Sequence, residues 1–286
     1  MSENTRRRLG VMYDRDRPPE GLPAFARGLD ELPVDDLWVV EDLGWAGGAT
    51  SAAIALGASR RLHVGYGIAP APLRNPVLLA MELATLARVY PGRLTAGIGH
   101  GVGGWMAQVG AGTPSKLALL GETITAVRTL LRGETLTVHG EAVRVDGVRL
   151  VHPPEVVPPV VAGVVGPRSL ALSGRVADGT ILPEGIGPDR AIAARTHIDA
   201  PGPHQLTVFT YLAPDPDLPA FRELVAGQVG WLSVAEADLY SAVGAPAVTA
   251  ERVRALWDAG VDTVAVRPLT ADPLAEIRAL TTALAR

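Results

Sequence analysis

Eight short apolar runs alternate with helical patterns along almost the whole chain, and that rhythm leaves few architectures open. The runs cover residues 8–13, 36–41, 62–68, 94–100, 159–165, 179–183, 205–212 and 262–267. Most are apolar throughout instead of alternating, as parallel strands covered on both faces are. Helical patterns occupy 22–32, 50–58, 75–89, 115–131, 167–176 and 250–259, and a last one at 273–284 closes the chain. The clearest is NPVLLAMELATLARVYPG, where Asn75 suits a cap, Pro76 the first turn, and Pro91–Gly92 the stop. Repeated eight times, the alternation predicts an α/β fold, a closed (β/α)8 barrel in preference to a doubly wound open sheet. A length of 286 residues suits one such barrel, which takes roughly 250, so residues 1–286 are expected to form a single domain. Two segments interrupt the rhythm. Residues 133–150 alternate in period two around His139–Gly140, which predicts a β-hairpin inserted between strands four and five. Residues 186–203 are weakly patterned and read as a mobile loop over the site.

With 48% hydrophobic and 20% charged residues, the chain has ample apolar material for a buried core. The net charge of −4, with no basic block beyond Arg6–Arg8, argues against nucleic acid and anionic membranes as partners. Those three arginines read as a solvated tail. Cysteine is absent, which removes disulfides, thiolate metal sites and cysteine nucleophiles together. The opening MSENTRRRLGVMYDRD lacks the apolar core of a leader, and no apolar run approaches the roughly 20 residues of a membrane span. A cytosolic protein is expected.

Function is sought at the strand tips. RLHVGYGIAPAPLRNP and RLTAGIGHGVGGWM each run from an arginine through an apolar strand to a glycine-rich end, which suggests one ligand edge shared by consecutive strands. In a barrel that edge is where chemistry occurs. After the fifth strand, Gly163, Gly166, Pro167, Arg168 and Ser169 precede a helix. Its free amides, its dipole, the guanidinium and the hydroxyl make either a phosphate seat or only a tight turn with a surface arginine. Glu41 and Asp42 follow strand two and Glu184 follows strand six, placed to position a proton or bind a polar substrate, or else to cap helices and loops. His100, between Gly99 and Gly101, is a candidate to meet a cofactor edge or relay a proton. Trp45, Tyr66 and Trp105 are candidates to stack on a ring or line a pocket, ordinary packing being the alternative. Arg74 reads as a brace for its proline-rich loop, with contact to an anion as the alternative. The remaining histidines show no ligand spacing, so no metal is expected, and neither GxSxG nor GxxxxGK[ST] occurs.

Taken in order, DDLWVVEDLGWAGG, GYGIAPAPLRNP, AMELATL, PGRLTAGIGHG, Pro153–Pro154, the 163–169 loop and ADGT resemble the luciferase-like flavin- or deazaflavin-dependent oxidoreductases. The likeness is greatest to the branch that uses coenzyme F420. The resemblance implies a TIM barrel with the cofactor ring at the carboxyl ends of the strands, usually as a homodimer. It implies a non-proline cis peptide at Gly67–Ile68 behind the ring, with Tyr66 and Gly99 beside it, and a cofactor phosphate held by Gly163, Gly166, Pro167, Arg168 and Ser169. Glu41 and Asp42 fall where many F420 enzymes carry an Asp-His pair. The histidine is missing here, and His100 or Glu184 stands as its substitute. The function so implied is hydride transfer between F420 and a small organic substrate. FMN-dependent monooxygenation and a non-catalytic barrel that binds a cofactor or metabolite are the alternatives.

Overall fold

The computed structural model describes residues 7–286. Its elements run β1 (Arg8–Met12), α1 (Leu22–Asp30), β2 (Asp36–Val39), α2 (Gly48–Ala58), β3 (His63–Pro70), α3 (Pro76–Val89), β4 (Leu94–Gly99), α4 (Gly103–Gln108) and α5 (Lys116–Leu131). There follow β5 (Leu136–His139), β6 (Arg144–Val148), β7 (Val160–Gly163), α6 (Pro167–Val176), β8 (Gly179–Leu182), α7 (Pro188–Ile198), β9 (Gln205–Ala213) and α8 (Pro219–Leu232). Last come β10 (Ala242–Val243), α9 (Pro246–Asp258), β11 (Thr263–Pro268) and α10 (Pro273–Leu284). Strands β1, β2, β3, β4, β7, β8, β9 and β11 pair in parallel in that order, and β11 returns to β1, so the eight close into a (β/α)8 barrel. The short β10 adds to the end of β9. Between barrel strands four and five, β5 and β6 form the expected antiparallel hairpin.

Because side chains alternate across each strand, the barrel separates two apolar cores. Met12, Trp38, Val161, Ile181, Phe209 and Ala265 fill its interior, while Val11, Leu37, Val64, Val208 and Val264 belong to the larger core between barrel and helices. Trp38 meets Phe209 edge-on with ring centroids 5.3 Å apart. A Cβ on Gly65 would stand 2.2 Å from the Trp38 ring, so only glycine there lets the indole cross the barrel.

Helix starts follow the sequence signals. Asn75 caps α3, its side chain accepting from the Val77 amide, and Gly166–Pro167 opens α6. Three helices were not anticipated. The segment 186–203, expected as a mobile loop, contains α7, which starts at Pro188 and buries only a thin stripe of Ala191, Ala194 and Ile198. Small residues on a narrow stripe give a weak amphipathic signal, which is why it reads as irregular. Likewise α8 buries Val225 alone, and α4 is six residues long. The solvated arginine tail is also corrected. Arg8 begins β1 and donates to both Asp36 oxygens, at 3.1 and 2.6 Å, and Arg7 pairs with Asp258 at 2.7 Å. Arg6, with the start of the segment read for a leader, lies outside the described residues. Among the described residues no helix is long and apolar enough to cross a membrane.

Candidate active site at the carboxyl ends of the barrel strands

A cavity of about 630 Å³ opens at the carboxyl ends of the strands. One wall is Ile68. The Gly67–Ile68 peptide is cis, as the resemblance implied, and the β3–β4 register shifts between Tyr66 and Ala69, an irregularity that re-aims the side chain toward the cavity. Two glycines on the neighbouring strands seat it. A Cβ on Gly99 would lie 2.8 Å from Ile68 Cδ1, and one on Gly163 would lie 2.5 Å from Cγ2. Gly99 therefore acts beneath Ile68, and Gly67, Ile68 and Gly163 line the cavity itself.

At one end of the cavity the chain leaves β7 and enters α6. The first-turn amides of Arg168 and Ser169 have no partner within the helix, and the dipole favours negative charge there. Gly166 has open space over its α-carbon, so a ligand can approach the backbone closely. The Ser169 hydroxyl lies 3.0 Å from His100 Nε2. Burial, then the charge of Lys116, holds the His100 pKa below its ordinary value, which leaves the imidazole neutral at pH 7. His100, Gly166 and Ser169 line the cavity, whereas Pro167 and Arg168 are exposed at its edge, where the long Arg168 side chain is free to turn toward a bound anion.

The strand-two acids are already engaged. Glu41 accepts from the Tyr66 hydroxyl at 2.6 Å, from Arg74 Nε and Nη2 at 3.2 and 2.7 Å, and from the Gly48 amide at 2.8 Å. Burial pulls its pKa up, but the bonds from Arg74, Tyr66 and Gly48 together hold it below the usual carboxylate range. Arg74 also binds Glu82 at 2.8 Å, the loop brace expected of it. Tyr66 corrects an expectation. Fully buried, it packs outside the barrel wall toward α2, and burial followed by the Glu41 charge raises its pKa; it does not line the cavity. Asp42 pairs with Arg15, whose guanidinium lies over the rings of Trp45 and Trp105, 4.5 and 5.8 Å from their centroids. Trp105 lines the cavity. Trp45, 42% exposed and bonded through Nε1 to Asp16, stands behind Trp105 as its support.

The far end of the cavity holds residues that the sequence reading missed, apart from Glu184. Arg267, at the end of β11, donates from Nε and Nη2 to Asp14 at 2.8 and 3.2 Å, and its Nη1 lies 3.6 Å from Glu184 Oε1. Burial works against its charge, but Asp14 and Glu184 overcome it and raise the pKa. Tyr211, on β9, is also driven up, first by burial and then by Glu184, so its hydroxyl stays protonated. Helix α8 roofs this end with Leu224, Gly227, Gln228 and Trp231, and Gln228 Nε2 donates to the Glu184 carbonyl at 2.6 Å. A charged residue closing a buried apolar run, as Arg267 does, was the available signal. Among the described residues no group of three or more His, Asp or Glu side chains is placed to hold a metal.

A family model described as luciferase-like monooxygenase matches residues 4–202. The F420-dependent glucose-6-phosphate dehydrogenase of Nakamurella multipartita is 30% identical over 182 residues, 59% of this chain and 54% of that protein. The chain thus spans about half the length of the curated relatives it matches. Among solved structures, the coenzyme F420-dependent tetrahydromethanopterin reductase of Methanopyrus kandleri is similar with a TM-score of 0.86 at 16% identity, over 98% of this chain and 99% of that one. The oxygenating constituent of 3,6-diketocamphane monooxygenase from Pseudomonas putida, in complex with FMN, gives 0.75 at 15% identity, over 98% of each chain. These two likenesses show the shared barrel fold. With the family model matching well over half of its residues, the chain belongs to the luciferase-like monooxygenase family.

Proposed function

We propose that this protein is an F420-dependent oxidoreductase acting on a small organic substrate. The observation that carries the reading is the cavity's two-part wall, Ile68 seated on Gly99 and Gly163, with the open N-terminus of α6 beside it. These residues fit the group. An apolar face stands where a flat ring needs backing, and open backbone at Gly166, with Ser169 facing in, suits a phosphodiester. When bound, the deazaflavin supplies hydride donation or acceptance at C5.

The chain's own residues orient and shield. Ile68 backs the ring. The α6 amides, the Ser169 hydroxyl and Arg168 hold the phosphate, and neutral His100 fixes the direction of that hydroxyl. Tyr211, protonated at neutral pH, donates a hydrogen bond to a substrate oxygen, and Glu184 is the carboxylate nearest to move a proton there. Glu41 and Asp42 keep structural duties, bracing β3 and Arg15. Trp105 and α8 exclude water. Supporting the cofactor choice, the named relatives from Nakamurella and Methanopyrus are F420-dependent. A second reading, FMN-dependent oxygenation, draws on the FMN complex of the same fold and on a helix-end seat that suits either phosphate.

Titration of the purified protein with F420 and with FMN, followed by fluorescence or calorimetry, tests the reading. Micromolar or tighter F420 binding, weakened about tenfold by Arg168→Ala, is expected, equivalent to roughly 1.4 kcal/mol. Preference for FMN, with rapid oxygen consumption by the reduced complex, moves the assignment to the second reading. Binding of neither overturns both.

A further inference from the structure

We propose that Asp14 and Glu184 determine specificity by closing off Arg267, so that the substrate end of the cavity refuses anions and the substrate is an uncharged molecule bearing a carbonyl or hydroxyl. This rests on the cavity being the active site of the proposed oxidoreductase. It concerns the end away from α6.

Among the described residues two arginines line the cavity, and both are paired. Arg15 is paired with Asp42 and lies over two tryptophan rings. Arg267, with a side chain 7% exposed, spends Nε and Nη2 on the two oxygens of Asp14. Its Nη2 also lies 3.6 Å from Asp16 Oδ2 and its Nη1 3.6 Å from Glu184 Oε1. Three carboxylates thus surround one guanidinium, and each edge of its fork faces one of them. A bidentate pair of this kind is both strong and directional. A phosphate or carboxylate entering here would have to displace Asp14, itself largely buried, and would then face Glu184 in a space shielded from water.

The rest of the lining agrees. Glu41, Asp42, Glu184 and Glu223 also line the cavity, four acids to the two arginines, His100 is held below its ordinary pKa, and Glu223 on α8 has no ion pair among the described residues. Amides without an intrahelical partner are offered to an anion at the α6 end, where the cofactor's phosphate belongs on the proposed reading. What remains for the substrate is the apolar surface of Met12, Ile181, Phe209, Leu224 and Trp231 and the Tyr211 hydroxyl. Such a surface recognises a neutral molecule by burial and one or two hydrogen bonds. The relative from Nakamurella is named for glucose 6-phosphate; this chain is expected to reject that ester.

The test uses the protein saturated with F420, so that the α6 end is occupied, and three probes: cyclohexanone, cyclohexanecarboxylate and glucose 6-phosphate. Binding is read from cofactor fluorescence and from the melting temperature. The wild type is expected to bind cyclohexanone at least tenfold more tightly than either anion. Glu184→Gln and Asp14→Asn, each freeing Arg267, are expected to gain tenfold or more in affinity for an anion, and Glu184→Gln keeps the test alive if Asp14→Asn does not fold. Saturable glucose 6-phosphate binding to the wild type that is lost in Arg267→Gln overturns the proposal. So does the absence of any anion gain in a folded Glu184→Gln protein. If neither F420 nor FMN binds, the functional reading fails separately. The same anion titrations on cofactor-free Arg168→Ala protein, its α6 seat weakened, then still decide the charge question.

Discussion

At the scale of single residues, the site turns on what small side chains leave room for. Gly163→Ala puts a methyl 2.5 Å from Ile68 Cγ2, and Ile68 must move into the cavity. The expected cost is roughly 1–3 kcal/mol of stability, with F420 affinity reduced tenfold or more in a protein that still folds; unchanged affinity would remove Ile68 from the ring seat. His100 gives a pH prediction. Its pKa is lowered, by burial first, so it gains a proton only at acid pH. That proton adds positive charge beside the anion seat, so F420 affinity should rise as pH falls below the ordinary histidine range, and His100→Gln should flatten the curve. The glycine tips and His100 were legible because backbone exposure is written in sequence. Tyr66 faces away from the cavity by strand parity. With Gly65 and Gly67 facing Trp38 inside the barrel, the residue between them must point out toward α2. Arg267 and Asp14 stayed hidden because their pairing spans 253 positions, a separation that no local pattern encodes.

Elements differ in how plainly they announce themselves. Strands buried on both faces and helices with broad apolar stripes were read nearly to the residue, and α6 and α10 were placed with their observed bounds. The missed helices α7 and α8 bury little, α8 because its inner side faces the cavity instead of a packed neighbour. Gly227 sits in α8 with open space around its α-carbon. Gly227→Ala should therefore stabilise the helix by roughly 0.5–1 kcal/mol, raising the melting temperature, while the added methyl at the cavity roof raises KM for bulky substrates more than for small ones. One side chain gathers the tip of the inserted hairpin, whose Leu136, Val143 and Val145 join the main core. Glu122 accepts from the amides of Glu141, Ala142 and Val143 at 2.7–2.9 Å. Glu122→Ala is expected to cost roughly 1–3 kcal/mol and to speed amide exchange in β5 and β6 without touching cofactor affinity.

Across the whole molecule, closure of the barrel brings the two ends of the chain together, β1 lying beside β11 and Asp14 against Arg267. Charge holds several of these joints. Asp14, Asp30 and Glu41 are each pulled up by burial and pulled further down by their hydrogen bonds and arginines. Folded values below the unfolded ones mean a contribution complete above about pH 4–5 and lost as pH falls through the folded values. The melting temperature should therefore drop steeply below pH 4, and Asp14→Asn should blunt that drop.

The family match ends at residue 202, and the cavity divides near the same point. Ile68, Gly163 and Ser169 precede that boundary, whereas Tyr211, the α8 roof and Arg267 follow it. On the proposed reading the cofactor seat lies within the matched stretch, whereas the substrate end is shared, Asp14 and Glu184 from that stretch meeting Arg267 from the last third. Grafting residues 203–286 of a relative onto this chain should leave the cofactor unchanged, and should carry over the relative's substrate preference only when positions 14 and 184 are exchanged with them.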